Sequence, residues 1–416
     1  MLIERVRHGW RAQRRTPTDA AGRVSGSRQI LLVTTWYPTT EAPVAGVFVR
    51  DQAEALAAAG NDVRVLHLVV MDYGVRRAWD LRSGGGVPPV WRIRTRVVPP
   101  ALRSPLAVLA AVVVAARWRA GGFRPRLVHA HTDRAGLAAV AVARLLGVPA
   151  VITEHSTAFL DADPTQLSRL RRLSARLAFR AADATVAVGE PLRLALLRLQ
   201  PRARAVVVPN VVDLARLAVR QGQRPAGRSF TAVGFLVPQK GLFDLLEAFA
   251  LLAKTLPDAT LHLVGDGPLR SELEARAGEL GVRERVEFHG ALAPEDVGQV
   301  LHESDVFVSA SHFETFGVAV VEALATGMPV VVTASGGPES FVSDEVGRVA
   351  PVGDVTALAA AMADVAGRLP TFEPARLADY VRIRFGPEQL VRSLYAVYDA
   401  AGTRAAARRH LPRRRA

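Results

Sequence analysis

Short apolar runs alternate along this chain with longer stretches whose apolar residues recur at helical spacing. QILLVTTWY opens the pattern near Gln29 and turns at Pro38. A loop containing Gly46 leads into a helix through DQAEALAAAG, with Gly60 as its C-terminal cap, and VRVLHLVV follows as the next strand. Strand, loop, helix, strand is the opening unit of a parallel sheet. LVHAHT, PAVITEHS and ATVAVGE continue that sheet, and VVVPNVVDL, Val206 to Leu214, closes it. The polar stretch RQGQRPAGR at 220–228 reads as a linker. Beyond it, SFTAVGFL, TLHLVGDG, VEFHG, DVFVSAS and PVVVTAS are strands separated by helical segments. GVPAVITEHS from Gly147 and GMPVVVTASG from Gly327 each follow an alanine-rich helix and end in a loop, an echo that suggests two similar halves. PEQLVRSLYAVYDAA is a final amphipathic helix. The pattern predicts an α/β chain of two doubly wound, Rossmann-like domains facing one cleft, with ligands at the carboxyl ends of the strands.

The expected boundaries are a basic extension at 1–28, a first domain at 29–219, the linker at 220–228 and a second domain at 229–385. A final helix at 386–403 and a basic tail at 404–416 complete the expected boundaries. With 416 residues, half of them apolar, the chain can bury two cores. It has no cysteine, which excludes disulfides, thiolate metal sites and cysteine nucleophiles and fits a reducing cytoplasm. The first thirty residues carry no apolar core stretch of the kind a signal peptide needs. The longest uncharged apolar run, Pro105 to Ala116, is too short to span a bilayer.

Charge changes the picture at the two ends. Residues 1–28 carry +5 and residues 404–416 carry +6 of the total +14, so the body is only weakly basic. Such tails are expected to be disordered. They suit an anionic membrane surface, at roughly 1 kcal/mol per basic residue, and no specific nucleic-acid motif accompanies them. The Pro105 to Ala116 run is flanked by Arg92, Arg94, Arg96, Arg103, Arg117 and Arg119. It reads either as a buried helix of the first domain or as an apolar face with a basic rim for a membrane.

The chemistry concentrates in HFETFGVAVVEALATGMPVV, His312 to Val331. Glu314 and Glu322 stand eight positions apart between the strands VFVSAS and MPVVVTAS. A helix starting near Phe316 puts Glu322 about 9 Å along its axis, two turns in. The free N–H groups of the first turn, around Phe316, Gly317 and Val318, then lie between the two carboxylates and are available to a phosphate. Carboxylates at both ends and an anion site between them suit a nucleotide-sugar; the same spacing also suits a solvated helix with two surface glutamates. Lys240 follows a strand and a turn and precedes a helix, where it can meet a phosphate as a point charge or simply be solvated.

The Glu-x7-Glu phrase, its Phe-Gly turn and the Gly-x-Pro-Val-Val strand resemble the signature of the retaining glycosyltransferase family four, whose members have the GT-B fold. The resemblance implies transfer of a sugar from a nucleotide-diphosphate-sugar to a hydroxyl acceptor, with no cofactor and no metal. It implies that Glu314 holds the transferred sugar, that Glu322 binds the ribose hydroxyls and that Lys240 contacts the diphosphate. The family phrase Gly-Arg-Leu, three residues, Lys-Gly is met here by Lys240 and Gly241, but Phe235 stands at the arginine position. A charge-assisted phosphate contact is therefore missing from the pattern.

The same resemblance puts the loop of Gly265 and Gly267 beside the donor and VEFHG, ending at Gly290, near the base. The residues of that first loop do not form G-x-G-x-x-G and suggest close backbone approach. Gly46 falls in the donor and acceptor loop of the first half. His155 corresponds to a histidine close to the donor sugar, with a positioning or hydrogen-bonding role. His131 and Glu154 are acceptor-side candidates. Asn210 and Asp213 match a Pro-Asn-x-x-Asp phrase at the interdomain hinge. The DAD triplet at 161–163 is expected to be solvated, and no other group of residues has metal-ligand spacing. The acceptor suggested by the basic and apolar features is lipid-linked, an envelope polysaccharide or glycolipid intermediate, met by a cytoplasmic protein peripheral to the membrane. The alternatives are a GT-B epimerase and a catalytically weak nucleotide-sugar-binding protein.

Overall fold

The computed structural model describes residues 28–40, 42, 44–72, 79–84, 86–96, 100–164, 167–212, 214, 217–220, 222 and 228–410. The basic N-terminal extension up to residue 27, the last six residues, Asp213 and most of the expected linker lie outside them.

The first unit runs β1 (Gln29–Thr34), α1 (Val47–Ala58), β2 (Asp62–Asp72), β3 (Trp79–Gly84), β4 (Val90–Arg96) and α2 (Pro100–Ala120). It continues with β5 (Leu127–His131), α3 (Asp133–Leu146), β6 (Ala150–Glu154), α4 (Arg169–Ala181), β7 (Ala184–Ala187), α5 (Glu190–Leu199) and β8 (Ala205–Val207). Its eight strands lie in the order β3-β4-β2-β1-β5-β6-β7-β8. All neighbours are parallel except the β3–β4 hairpin. Ile30, Leu31, Leu32 and Val33 are fully buried, as a strand covered on both faces requires. The β3–β4 hairpin is absent from the expected pattern, although WRIRTR does carry the period-two alternation of a half-covered strand.

The second unit comprises β9 (Ser229–Val233), α6 (Leu242–Leu252), β10 (Thr260–Val264), α7 (Arg270–Glu279), β11 (Val286–Gly290) and α8 (Pro294–Glu303). Then come β12 (Val306–Ser309), α9 (Val318–Ala325), β13 (Val330–Thr333), β14 (Gly347–Ala350), α10 (Val355–Gly367), α11 (Pro374–Phe385) and α12 (Pro387–His410). The sheet order is β11-β10-β9-β12-β13-β14, parallel throughout. The two halves of the sequence echo, β6 and β13, each lie two places along from the opening strand of their sheet.

Helix α12 closes the chain against the first unit. Leu394, Tyr395 and Ala401 share a buried cluster with Ile30, Leu32 and Leu56. Tyr395 exchanges hydrogen bonds of 2.8 and 3.0 Å with the Asn61 amide, and the Tyr398 hydroxyl lies 2.9 Å from His129 Nδ1. The helix does not stop at residue 403. It runs to His410, and Arg404 and Arg409 donate to the Asp183 and Gly147 carbonyls while Arg408 pairs with the Asp183 carboxylate. The first part of the expected tail is thus ordered helix, its arginines meeting the turns that lead into β6 and β7. Arg220, placed in the linker by sequence, is buried, and its N–H donates to Thr326 O at 2.9 Å.

Candidate active site

A cavity of about 380 Å³ opens at the carboxyl ends of β9 and β12 and is closed from the first unit by Phe48. Lys240, Glu314, Gly317, Val318 and Glu322 all line it. A larger hollow of about 580 Å³ lies between β8 and α12, and its walls hold no comparable convergence of carboxylates and an amine. The smaller cavity is therefore the candidate.

Lys240 ends a short 3-10 turn capped by Gly241. Gly241 has φ +60°, and a Cβ there would sit 2.0 Å from Ala310 O, so only glycine lets this turn lie on the loop after β12. That approach brings Lys240 Nζ to 2.7 Å from Glu314 Oε2. Glu314 Oε1 accepts from Thr315 N–H at 3.1 Å, and Glu314 N–H donates to Ser335 O at 2.8 Å. The carboxylate is thus fixed at its ends by an ammonium and a backbone donor.

Helix α9 begins at Val318, with Gly317 at the N-cap (φ +91°). Its start is two residues later than expected, so Glu322 lies just over one turn in, about 6 Å along the axis rather than 9. Gly317, Val318 and Ala319 at the head of the helix line the cavity together with both glutamates. Burial raises the Glu322 carboxyl to about 7, with a further contribution from Asp51 across the cleft.

Other expected site residues are used differently. The Phe316 side chain is buried against Phe341 and Phe385, with ring centroids 5.5 and 5.4 Å away, so it anchors the loop and does not face the cavity. A Cβ on Gly265 would meet Gly234 O at 1.9 Å and one on Gly267 would meet Leu236 O at 2.5 Å. These glycines therefore serve backbone packing behind the cavity. Gly265 N–H also donates to Gly290 O at 2.8 Å. Gly46 is the left-handed N-cap of α1, pressed on the Trp36–Tyr37 backbone, and so aims Phe48 at the cleft.

His155 lies behind Phe48, whose ring is 4.2 Å away, and is 7% exposed. His131 Nδ1 lies 3.1 Å from His155 Nε2, and Gln52 Nε2 lies 3.3 Å from His131 Nε2. With the Gln52 amide donating, His131 donates in turn to His155, and the proton of His155 is left on Nδ1. Burial lowers His131 to about 3 and lowers His155 as well, the latter helped by His131 and opposed by Asn210. Both imidazoles are therefore neutral near pH 7 and cannot neutralise a phosphate. His155 O accepts from the Thr315 hydroxyl at 3.1 Å, so the histidine braces the loop of Glu314 across the cleft.

Glu154 is fully buried and turned away, with its oxygens accepting from the N–H groups of Asp133, His155 and Ser156. Its carboxyl is raised by burial and by Asp133, with those donors pulling the other way. An acceptor-side role is not supported by that orientation. Asn210 is buried near the crossing between units, where Val212 N–H donates to Phe385 O at 3.3 Å.

Phe235 is 63% exposed at the lip of the cavity, and Lys240 is the one cation lining it among the described residues. Asp161 and Asp163 do not converge: the first pairs with Arg198 and the second accepts from Thr157. The structure instead gathers His262, Glu287 and His289 on the far sheet edge, a grouping the sequence reading missed. Only Glu-x-His on one strand was visible as a signal, since His262 belongs to the neighbouring strand.

Residues 45–216 match the family described as Glycosyltransferase Family 4, and residues 220–367 match Glycosyl transferases group 1. The chain is 33% identical over 361 residues to the 2-deoxystreptamine N-acetyl-D-glucosaminyltransferase of Streptomyces fradiae, covering 75% of this chain and 83% of that protein. Among solved structures, sucrose-phosphate synthase from Thermosynechococcus elongatus superposes with a TM-score of 0.72 at 22% identity, covering 89% of this chain and 98% of that one. Anabaena HepE in complex with UDP superposes at 0.68 with 19% identity, covering 89% and 100%. Two facing doubly wound sheets, the glutamate pair at the head of α9 and these matches make one conclusion: the chain is a GT-B glycosyltransferase and belongs to the glycosyl transferases group 1.

Proposed function

We propose that the chain transfers a sugar from a nucleotide-diphosphate-sugar to a hydroxyl acceptor with retention of configuration. The observation that carries this reading is the Lys240–Glu314 contact of 2.7 Å beside the α9 N-terminus, with Glu322 one turn further in. A departing diphosphate needs positive charge that is already in place. The Lys240 ammonium and the first-turn N–H groups supply it without a metal. Glu314 receives hydroxyls of the transferred sugar, and Glu322 receives those of the ribose. Among the described residues the two carboxylates of the cavity are given to sugar and ribose hydroxyls, so the donor phosphate itself takes the acceptor's proton on the face from which it leaves. The UDP held by HepE supports a uridine nucleotide as the first donor to try.

A membrane-borne acceptor is supported by the outer surface of the first unit. Helices α2, α3 and α4 lie side by side. On α4, Leu170, Leu173 and Leu177 are exposed at 61, 55 and 51%, beside exposed Arg169, Arg172, Arg176 and Arg180. On α2, Ala107, Ala110, Ala111 and Val114 are buried while Leu102 and Leu109 are exposed, so the apolar run is both a core helix and an outward stripe. No helix among the described residues is long and apolar enough to cross a membrane. Leucines rimmed by arginines suit an anionic bilayer surface, which makes the lipid-linked acceptor and a peripheral position on the cytoplasmic leaflet our reading. The Streptomyces fradiae relative is named for a small aminocyclitol acceptor, and that is the competing class.

The test is turnover of a donor panel with a crude lipid extract and, in parallel, with 2-deoxystreptamine. Glu314→Gln should abolish transfer while the protein stays folded; near-normal turnover would overturn the assignment. Donor binding without turnover would favour a weak binding protein, consistent with Phe235. Interconversion of the nucleotide-sugar itself would favour an epimerase.

A further inference from the structure

The edge of the second sheet, outside the cleft, gathers two imidazoles and a carboxylate. His262 sits on β10, and Glu287 and His289 sit on the edge strand β11. His262 is in register with Glu287. His289 is the extra residue where the β10–β11 register shifts, and its ring stacks on that of His262 at 5.3 Å between centroids. His262 Nδ1 lies 3.0 Å from His289 Nε2 and 3.3 Å from Glu287 Oε2. Glu287 Oε1 lies 3.6 Å from His289 Nδ1. One donor atom from each residue falls within 4.8 Å of the others. Thr260 Oγ1, 3.4 Å from His262 Nε2, keeps that ring turned with Nδ1 toward the group.

We propose that His262, Glu287 and His289 bind one zinc ion or a similar divalent transition metal, with solvent completing the shell. Metal–ligand bonds of about 2.0–2.1 Å in a tetrahedron set neighbouring donors roughly 3.3 Å apart. The strand register already holds the nearest donors at about that separation. Two imidazole nitrogens select a borderline-soft cation over magnesium or calcium, which take oxygen shells. Glu287 is 63% exposed, leaving the outer side of the group open to water and to an incoming ion. None of the three residues lines the donor cavity, so the ion acts as a clamp and not in the transfer step. Strand β11 is paired on one side only, and its end ties to the Gly265 loop through Gly290. A clamp between β10 and β11 therefore braces an otherwise one-sided strand.

The experiment titrates untagged, metal-stripped full chain with zinc in competition with a chromophoric chelator, with magnesium as the second probe. The expected result is one equivalent of zinc, no competition by magnesium, and a higher thermal midpoint with zinc bound. The double variant H262Q/H289Q should lose affinity by at least about 100-fold, more than removal of an outer partner would cost, and should lose the zinc-induced midpoint shift. Glu287→Gln, at an exposed position, gives the same reading with a smaller loss if the double variant misfolds. Failure of the wild type to take up an equivalent of zinc, or unchanged affinity in these variants, overturns the proposal.

Discussion

Glu322→Gln should change how stability depends on pH. The folded Glu322 carboxyl sits at about 7 against an ordinary 4.5, chiefly because it is buried. At roughly 1.36 kcal/mol per unit, that difference is worth about 3 kcal/mol. The sign follows from proton uptake. The folded state holds this proton more tightly than the unfolded state, so the stabilisation is complete below the unfolded value and is lost as pH rises through 7. Between about pH 5 and pH 8 the wild type should lose about 2–3 kcal/mol from this site, whereas a glutamine imposes no such slope. Glu154 shares the sign, but it is present in both proteins and cancels in the comparison. For a unit of this size, the gap in thermal midpoint between variant and wild type should shift by about 5–10 °C in the variant's favour over that range. Thermal melts followed by fluorescence at the two pH values measure it. Parallel midpoints for the two proteins would refute the claim that Glu322 is held neutral by burial.

UDP affinity should fall toward acid, by up to about tenfold per pH unit below 7, because ribose hydroxyls favour the ionised Glu322; calorimetric titration at several pH values checks it. Phe235→Arg should tighten UDP binding by about tenfold, since a charged hydrogen bond at an exposed lip is worth about 1.5 kcal/mol; unchanged affinity would mean that the lip does not reach the diphosphate. Gly46→Ala should destabilise by about 2–4 kcal/mol, combining the left-handed backbone penalty with a Cβ placed 2.6 Å from Trp36 C, and a melt reads it directly. Replacing Leu170, Leu173 and Leu177 with glutamine should weaken binding to anionic vesicles by at least about tenfold; co-sedimentation at low salt tests it, and failure of the wild type to bind would remove the support for a lipid-linked acceptor.

The sequence alone determined the elements that bury themselves on both sides. Short β-branched apolar runs such as QILLV and PVVVT, bounded by turn residues, read as strands buried on both faces, and the echo at Gly147 and Gly327 follows from two sheets built in one order. It also singled out Lys240, Glu314 and Glu322, each within a few residues of a strand end or a helix start, and the fold brings all three to one cavity. What depends on long-range approach was decided only in three dimensions. Glu154, His131 and His155 all sit at strand ends, and burial assigns all three to the interior, Glu154 held by backbone donors and His131 by the Gln52 and His155 side chains. Gly265 and Gly267 pack on the Gly234 and Leu236 backbone, a close approach hidden from local pattern because those neighbours are some thirty residues away in the chain. His262 meets Glu287 and His289 only through strand register, and Leu170, Leu173 and Leu177 face outward only because α3 covers the other side of α4. Local pattern fixes which residues form an element; which face meets solvent, a cavity or another strand is fixed by the packing of elements that the pattern does not encode.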